Sequence, residues 1–391
     1  MLGVAYIINL HHFYKFFIRR WHKIKLYLLP FCPMKNLIIF GNIKNKGAEM
    51  AITILVFDYK KAEENFFKKN RLEDYDIHFF EESLNDTTVN NLPEDLLEET
   101  TVVSIYLTSN INNEVLKKFP NLMILSTRSA GFEHINIQEC CNKRIKVLNV
   151  ENYDSKAIVQ YNFGLIITLI RKILIAERDV REFQFEYSSY IGRELDKLTI
   201  GIIGTGNVGS EMCRIASAFG MKILAHDIRE NKELIEKYNV EYTDKITLLK
   251  NSDVISLHVP LNENTREMIT KREFAIIKPT AIILNPSRGE LINTADLYDA
   301  IVTENLAGAG LDAMECEEIA FNTQNMTSKV KESNLECISK VFLTRRLAQL
   351  DNVIVTPRVA YSTQDSIDRI LETTFEAIED CIQGGHTNQV N

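Results

Sequence analysis

From residue 50 onward, short β-rich runs alternate with longer stretches punctuated by Leu and Phe. Ile52–Phe57, Ile77–Phe80, Val102–Tyr106, Met123–Ser126 and Val147–Asn149 read as strands, with polar helical segments such as Asn113–Phe119 between them. Such a rhythm predicts a parallel sheet with helices on both faces. In Ser155–Glu177, residues Ile158, Tyr161, Leu165, Leu169 and Ile173 recur every three or four positions, which predicts one long helix carrying the chain between domains. A second series follows: Leu198–Ile203, Lys222–His226, Asp253–His258, Ala281–Asn285, Ala309–Leu311 and Asn352–Val355. A last helix is predicted over Ser366–Ile382, with Gly384 placed to stop it. Residues 318–350 are polar and irregular and read as an insertion.

Length and charge narrow the picture. A chain of 391 residues has room for two domains and an extension. The net charge of −8 argues against nucleic acid as the main partner, since no dominant basic surface would meet phosphates. Residues 1–49 depart from this balance, with eight Lys/Arg and one acid, leaving the remainder near −15. Basic residues interrupt their apolar stretches, so no run of about 20 apolar residues could span a membrane. The segment reads as a membrane-surface helix, a targeting segment or a dispensable leader; the third is preferred because Met50 directly precedes a strand. Seven cysteines without a CxxC pair predict a reduced, cytoplasmic protein with neither disulfide nor zinc framework. No metal site is expected.

The sharpest local signal is Gly201-Ile-Ile-Gly-Thr-Gly-Asn-Val-Gly209. Gly204, Gly206 and Gly209 form GxGxxG between an apolar strand and the helical run Ser210–Phe219. The pattern suits a tight turn, a close backbone approach to pyrophosphate, and helix–strand packing. The helix start adds free N–H groups and positive potential. Asp227, about 20 residues on, ends the next strand, where a carboxylate would accept ribose hydroxyls and repel a 2′-phosphate. NAD (NADH) is therefore expected over NADP.

With these features in place, the chain from Met50 to the C-terminus resembles the D-isomer-specific 2-hydroxyacid dehydrogenases, particularly the lactate dehydrogenase and VanH-like branch. The motifs are Ser126-Thr-Arg-Ser-Ala-Gly-Phe-Glu-His-Ile135, the glycine loop, Ser256-Leu-His-Val-Pro260, Leu284-Asn-Pro-Ser-Arg-Gly289, Gly310-Leu-Asp-Ala-Met-Glu-Cys-Glu317 and Asn352-Val-Ile-Val-Thr-Pro357. The resemblance implies an α/β protein of two doubly wound parallel-sheet domains, a Rossmann NAD-binding domain (154–358) inserted into a flavodoxin-like substrate domain (50–153 and 359–391). It implies a small 2-oxo or 2-hydroxy acid as substrate and a homodimer built through the NAD-binding domain. Arg288 matches the catalytic arginine, whose planar fork can bind a carboxylate bidentately. Ala130 and Gly131 match the loop whose N–H groups meet the substrate carboxylate, and Tyr153 and Tyr361 match residues near the substrate. Asn207 and Val208 are implied beside the pyrophosphate, Val259 and Pro260 along the cofactor path, and Asp312 at the nicotinamide end. His258 belongs to the cofactor-strand motif, so a packing role is expected for it.

One position departs from the pattern. The family's proton donor is a histidine directly after the proline of NVIxTP, tuned by a glutamate. Here Glu317 is present but Pro357 is followed by Arg358. Arginine stays charged up to at least about pH 12 and cannot usefully deliver a proton. Val150-Glu151 and Ile158-Val159-Gln160-Tyr161 also differ from the usual residues around the substrate. Two readings follow: a dehydrogenase with Arg288, Glu317 and Arg358 at its catalytic positions, or a NAD-binding sensor on the same fold. In either, Arg358 is expected to pair with Glu317.

Overall fold

The computed structural model describes residues 52–70, 75–150, 155–317 and 335–391. The basic segment 1–49 and its three readings lie outside them. The chain divides into two compact units, one of residues 1–151 with 367–391, the other of residues 152–366.

In the first unit, five strands form one parallel sheet: β1 (Ile52–Val56), β2 (Tyr75–Phe79), β3 (Thr100–Ile105), β4 (Ile124–Thr127) and β5 (Lys146–Leu148). Their order, β2-β1-β3-β4-β5, is the flavodoxin-like one. Both faces are covered, which is why these strands are apolar almost throughout. Leu55, Val103, Leu125 and Val147 pack on one side. Ile54, Val102, Ile124 and Leu148 pack on the other, against Leu371, Phe375 and Ile378 of the helix Gln364–Ile382. That helix stops as expected: Gly384 takes φ +92° and its N–H donates to the Cys381 carbonyl. Cys140 is buried on the helix Ile137–Asn142, and Cys141 is exposed beside it.

The second unit holds β6 (Thr199–Ile203), β7 (Lys222–His226), β8 (Glu241–Tyr242), β9 (Val254–Leu257), β10 (Ile282–Asn285), β11 (Gly308–Leu311) and β12 (Val353–Val355). They form a second sheet in the order β12-β11-β10-β9-β6-β7-β8, with every pair parallel. The strand order reverses at β6 and β9, the place where a doubly wound sheet opens a crevice for a ligand.

Several expectations need correction. The run Ser155–Glu177 is two helices, Ser155–Ile170 and Ile173–Arg181, meeting at 61° with Lys172 left-handed at φ +52°. The apolar spacing continues through the break, so periodicity alone hides it. No single described helix is long and apolar enough to cross a membrane. Strand β8, only two residues long, carried no readable pattern. Residues 359–366 belong with the second unit, because the Asp312 carboxylate accepts the Val359 and Ala360 N–H groups at 3.0 and 2.9 Å. The expectation of no disulfide also fails: Cys316 and Cys337 are bonded across a separation of 21 residues. An odd cysteine count does not forbid one intrachain pair.

Candidate active site

The glycine loop is shaped by what surrounds it. Gly204 sits at φ +91°, and a Cβ there would lie 2.6 Å from the His258 carbonyl oxygen and 2.9 Å from Val259 Cγ1. A Cβ on Gly209 would strike the Gly204 carbonyl at 1.9 Å, so helix and turn are in direct backbone contact. Gly206, which caps the helix Asn207–Ala218, has nothing within 4 Å of the corresponding position. Two glycines are thus required by the protein's own packing, and the third leaves open space at a helix N-terminus. That is the arrangement a pyrophosphate needs.

Asp227 directly follows β7 and faces Thr205 of the glycine loop. Its carboxylate accepts the Thr205 N–H at 2.5 Å and hydroxyl at 3.1 Å on one oxygen, and the Arg229 N–H at 3.1 Å on the other. Burial alone would raise its pKa, but these hydrogen bonds outweigh it and hold the carboxyl below its usual range. Asp227 is therefore ionised, with acceptor capacity left for ribose hydroxyls. The residues present fit a nicotinamide dinucleotide.

From this loop a run of contacts leads to the expected catalytic residues. His258 and Val259 touch Gly204. The Ser287 hydroxyl donates to the Val259 carbonyl at 2.8 Å, fixing the turn after β10 that carries Arg288. The Asn285 amide donates to the Arg288 carbonyl at 2.7 Å and Arg288 Nη1 donates to the Ser287 carbonyl at 3.0 Å, so the backbone and the half-buried side chain of that arginine are both held. Gly289 presses on the next segment, since a Cβ there would lie 2.0 Å from the Met314 carbonyl carbon. Pro260 follows Val259 at the exposed edge. Asn207 and Val208 begin the helix after the glycine loop.

At the far end, Arg358 Nη1 donates to Glu317 Oε1 at 2.7 Å, so the expected pair forms. Glu317 Oε2 also accepts the Met314 N–H at 3.2 Å. Arg358 is left-handed at φ +52°, and its N–H donates to the Asp312 carbonyl at 3.1 Å. The Asp312 carboxylate organises the residues on either side, accepting the Thr356 hydroxyl at 2.5 Å besides the two amides already named. Burial raises Asp312 above the ordinary range, opposed by these donors and by the Arg358 charge. Tyr361 is half-buried three residues beyond Arg358. Thus Arg288, Asp312, Glu317 and Arg358 are linked within one unit.

His258 directly follows β9 and is half-buried. Its Nε2 lies 2.8 Å from the Ser256 hydroxyl, and desolvation pushes the imidazole down to about 3, leaving it neutral at ordinary pH. In the first unit, the Asn149 amide holds the Ala130 carbonyl at 3.0 Å and the Ser129 hydroxyl holds that of Gly131 at 2.7 Å. This fixes the orientation of a loop whose N–H groups were expected to meet a carboxylate. Tyr153 lies outside the described residues.

Sequence reading missed the support behind Glu317. Glu315, buried one residue before Cys316, accepts the Thr294 N–H at 3.2 Å, the Thr294 hydroxyl at 2.6 Å and Lys340 Nζ at 2.8 Å. Its partners lie 21 and 25 residues away in sequence, across stretches without a motif.

Fold and crevice together define a dinucleotide-binding α/β protein with a guanidinium site at the end of the same sheet. The family model for the D-isomer specific 2-hydroxyacid dehydrogenase NAD binding domain matches residues 163–360. The chain is 30% identical over 320 residues to the "2-hydroxyacid dehydrogenase homolog 1" of Schizosaccharomyces pombe, covering 81% of this chain and 92% of that one. It is 33% identical over 275 residues to the hydroxypyruvate reductase of Thermotoga maritima, covering 70% and 82%. Among solved structures, the D-lactate dehydrogenase of Aquifex aeolicus, complexed with NAD and lactic acid, superposes with a TM-score of 0.72. It shares 32% identity, with coverage of 85% of this chain and 96% of that one. The chain belongs to the D-isomer specific 2-hydroxyacid dehydrogenase family, and its second unit carries the NAD-binding domain.

Proposed function

We propose that this protein uses NADH to reduce a small 2-oxo acid to its D-2-hydroxy acid, with Arg288 gripping the substrate and Arg358 replacing the usual acid. One observation carries the reading: an unbroken run of contacts joins the pyrophosphate loop to Arg288 and then to Arg358. Bound NADH would supply the hydride that reduces the carbonyl carbon. The residues that would hold it are Gly204, Gly206, Asn207, Val208 and Gly209 at the phosphates, Asp227 at the ribose, and Val259, Pro260 and Asp312 toward the nicotinamide.

The remaining work falls to the chain's own side chains. The Arg288 fork binds the carboxylate and polarises the keto oxygen, staying charged at any working pH. The family resemblance assigns the amide donors for the carboxylate to Ala130 and Gly131, and residues near the substrate to Tyr153 and Tyr361. Arg358 cannot give up a proton, so water protonates the nascent alkoxide. The guanidinium, held by Glu317 in the bond described above, orients that water. Loss of a positioned acid typically lowers turnover about 10²- to 10⁴-fold without abolishing it.

Relatives in the family have been named as reductases of hydroxypyruvate, glyoxylate and aromatic 2-oxo acids, and structural neighbours as D-lactate dehydrogenases. The choice of substrate is therefore tested with a panel: pyruvate, hydroxypyruvate, glyoxylate and 2-oxoisocaproate, each with NADH, on the native protein and Arg358→His. Slow oxidation by the native protein and at least a tenfold rise in kcat for the variant are expected. Tight NADH binding with no turnover by either protein would replace this reading with the NAD-binding sensor.

A homodimer is also proposed. The helix Ile173–Arg181 buries none of its residues, and the segment after it leaves Phe183, Phe185, Tyr187 and Ile191 exposed at 86, 65, 88 and 76%. A contiguous apolar strip of this kind marks a protein interface.

A further inference from the structure

We propose that Cys316 and Cys337 form a thiol–disulfide exchange site that sets the position of Glu317 and, through it, of Arg358. The proposal rests on the reading of Arg358 given above.

Cys316 lies between two carboxylates with different duties. Glu315 is buried and tied to Thr294 and Lys340, whereas Glu317 reaches Arg358. Cys337 and Lys340 stand one turn apart on the helix Leu335–Leu347. That helix therefore grips two consecutive residues of the turn, Glu315 by an ion pair and Cys316 by a covalent bond. Both cysteines pack against buried Val341 yet remain partly exposed, so a small thiol can reach them. Cys316 takes φ +52°, a conformation disfavoured for an L side chain.

Reduction would act on one side of the turn only. A thiolate of an added dithiol attacks one sulfur, the Cys316–Cys337 bond breaks, and a mixed disulfide forms. The second thiolate then closes the reagent's own disulfide and releases the second cysteine. Two electrons and two protons pass to the protein, and a small disulfide such as oxidised glutathione reverses the exchange. The Glu315–Lys340 pair does not depend on sulfur and holds the Met314–Glu315 backbone against Gly289, so Arg288 keeps its seat. What gains freedom is Cys316 and Glu317, and with them the partner of Arg358. The bond is thus placed to alter the chemical step while sparing cofactor binding.

The test equilibrates the full-length protein in reduced-to-oxidised glutathione ratios and scores the Cys316 and Cys337 peptides by mass spectrometry. Steady-state kcat, NADH affinity and hydrogen exchange of residues 353–361 are measured on the same samples. A disulfide-linked peptide in the oxidised protein is expected, with at least a fivefold fall in kcat and faster exchange of 353–361 once it is reduced. NADH affinity should change less than twofold. Cys337→Ser should match the reduced protein at every ratio, and Cys141→Ser should retain the response. If the thiol state changes while kcat and exchange stay constant, the proposal is overturned and the catalytic reading stands. If no turnover occurs in any state, exchange decides: protection that follows the bridge supports the coupling, and constant protection overturns it. Absence of the linked peptide at every ratio also overturns it.

Discussion

Arg288 and Arg358 carry the same group but are held for different tasks. Arg288 is held by the Asn285 amide and donates Nη1 to the Ser287 carbonyl, whereas Arg358 Nη1 donates to the Glu317 carboxylate. Arg288→Gln should therefore lower kcat/KM for the 2-oxo acid by about 10²- to 10³-fold, the usual loss when a donor at a developing oxyanion is removed. NADH affinity, read by fluorescence titration, should change little; an equal loss in cofactor binding would contradict the assignment. His258 supplies a second residue-scale prediction. Its folded imidazole is depressed, so it stays neutral while the unfolded chain takes up a proton below about pH 6.5. This contribution to stability is present above that pH and is lost as pH falls toward the folded value. His258→Asn should flatten the decline in unfolding free energy between pH 6.5 and pH 5 by up to about 2 kcal/mol. Identical slopes for the two proteins would show that the ring protonates in place. At this scale the sequence anticipated the Glu317–Arg358 pair, because two motifs supplied its register. It was silent where partners were remote, as with Lys340 and Glu315.

Among the elements, the loop between β6 and the helix Asn207–Ala218 separates folding from binding most cleanly. Gly206→Ala adds a methyl where nothing of the protein stands, so the melting temperature should hold while NADH affinity falls at least about tenfold, or 1.4 kcal/mol. Gly209→Ala drives a Cβ into the Gly204 carbonyl and should destabilise the protein by about 1–3 kcal/mol besides weakening NADH binding. If both variants lost only stability, the open space at Gly206 would have no ligand. Strand positions were legible because both faces of each sheet are covered and the strands are accordingly apolar. The break at Lys172 was not, since Ile173 continues the apolar spacing although the following helix buries none of its residues. Periodicity records an apolar stripe but not what covers it.

For the molecule as a whole, that uncovered stripe gives a prediction of its own. Phe185→Glu should convert a dimer to a monomer in light scattering, leaving the circular dichroism spectrum unchanged; a monomeric native protein would remove the proposed interface. The two-unit division was legible from the double series of strands and the repeated crossover pattern. Its second boundary was not, because the bonds from Asp312 to residues 359 and 360 join positions 47 and 48 apart. The cysteine bridge was hidden for a similar reason, as spacing alone does not bring residue 316 to residue 337.

The central claim is that a protein with arginine in place of the proton donor still transfers a hydride to a 2-oxo acid. It is tested most directly by incubating the native protein with NADH deuterated at C4 and pyruvate, then resolving the product on a chiral column with mass detection. The account predicts D-lactate carrying deuterium at C2, formed slowly and faster with Arg358→His. Bound coenzyme that yields no deuterated lactate with either protein, or the L enantiomer, would contradict it.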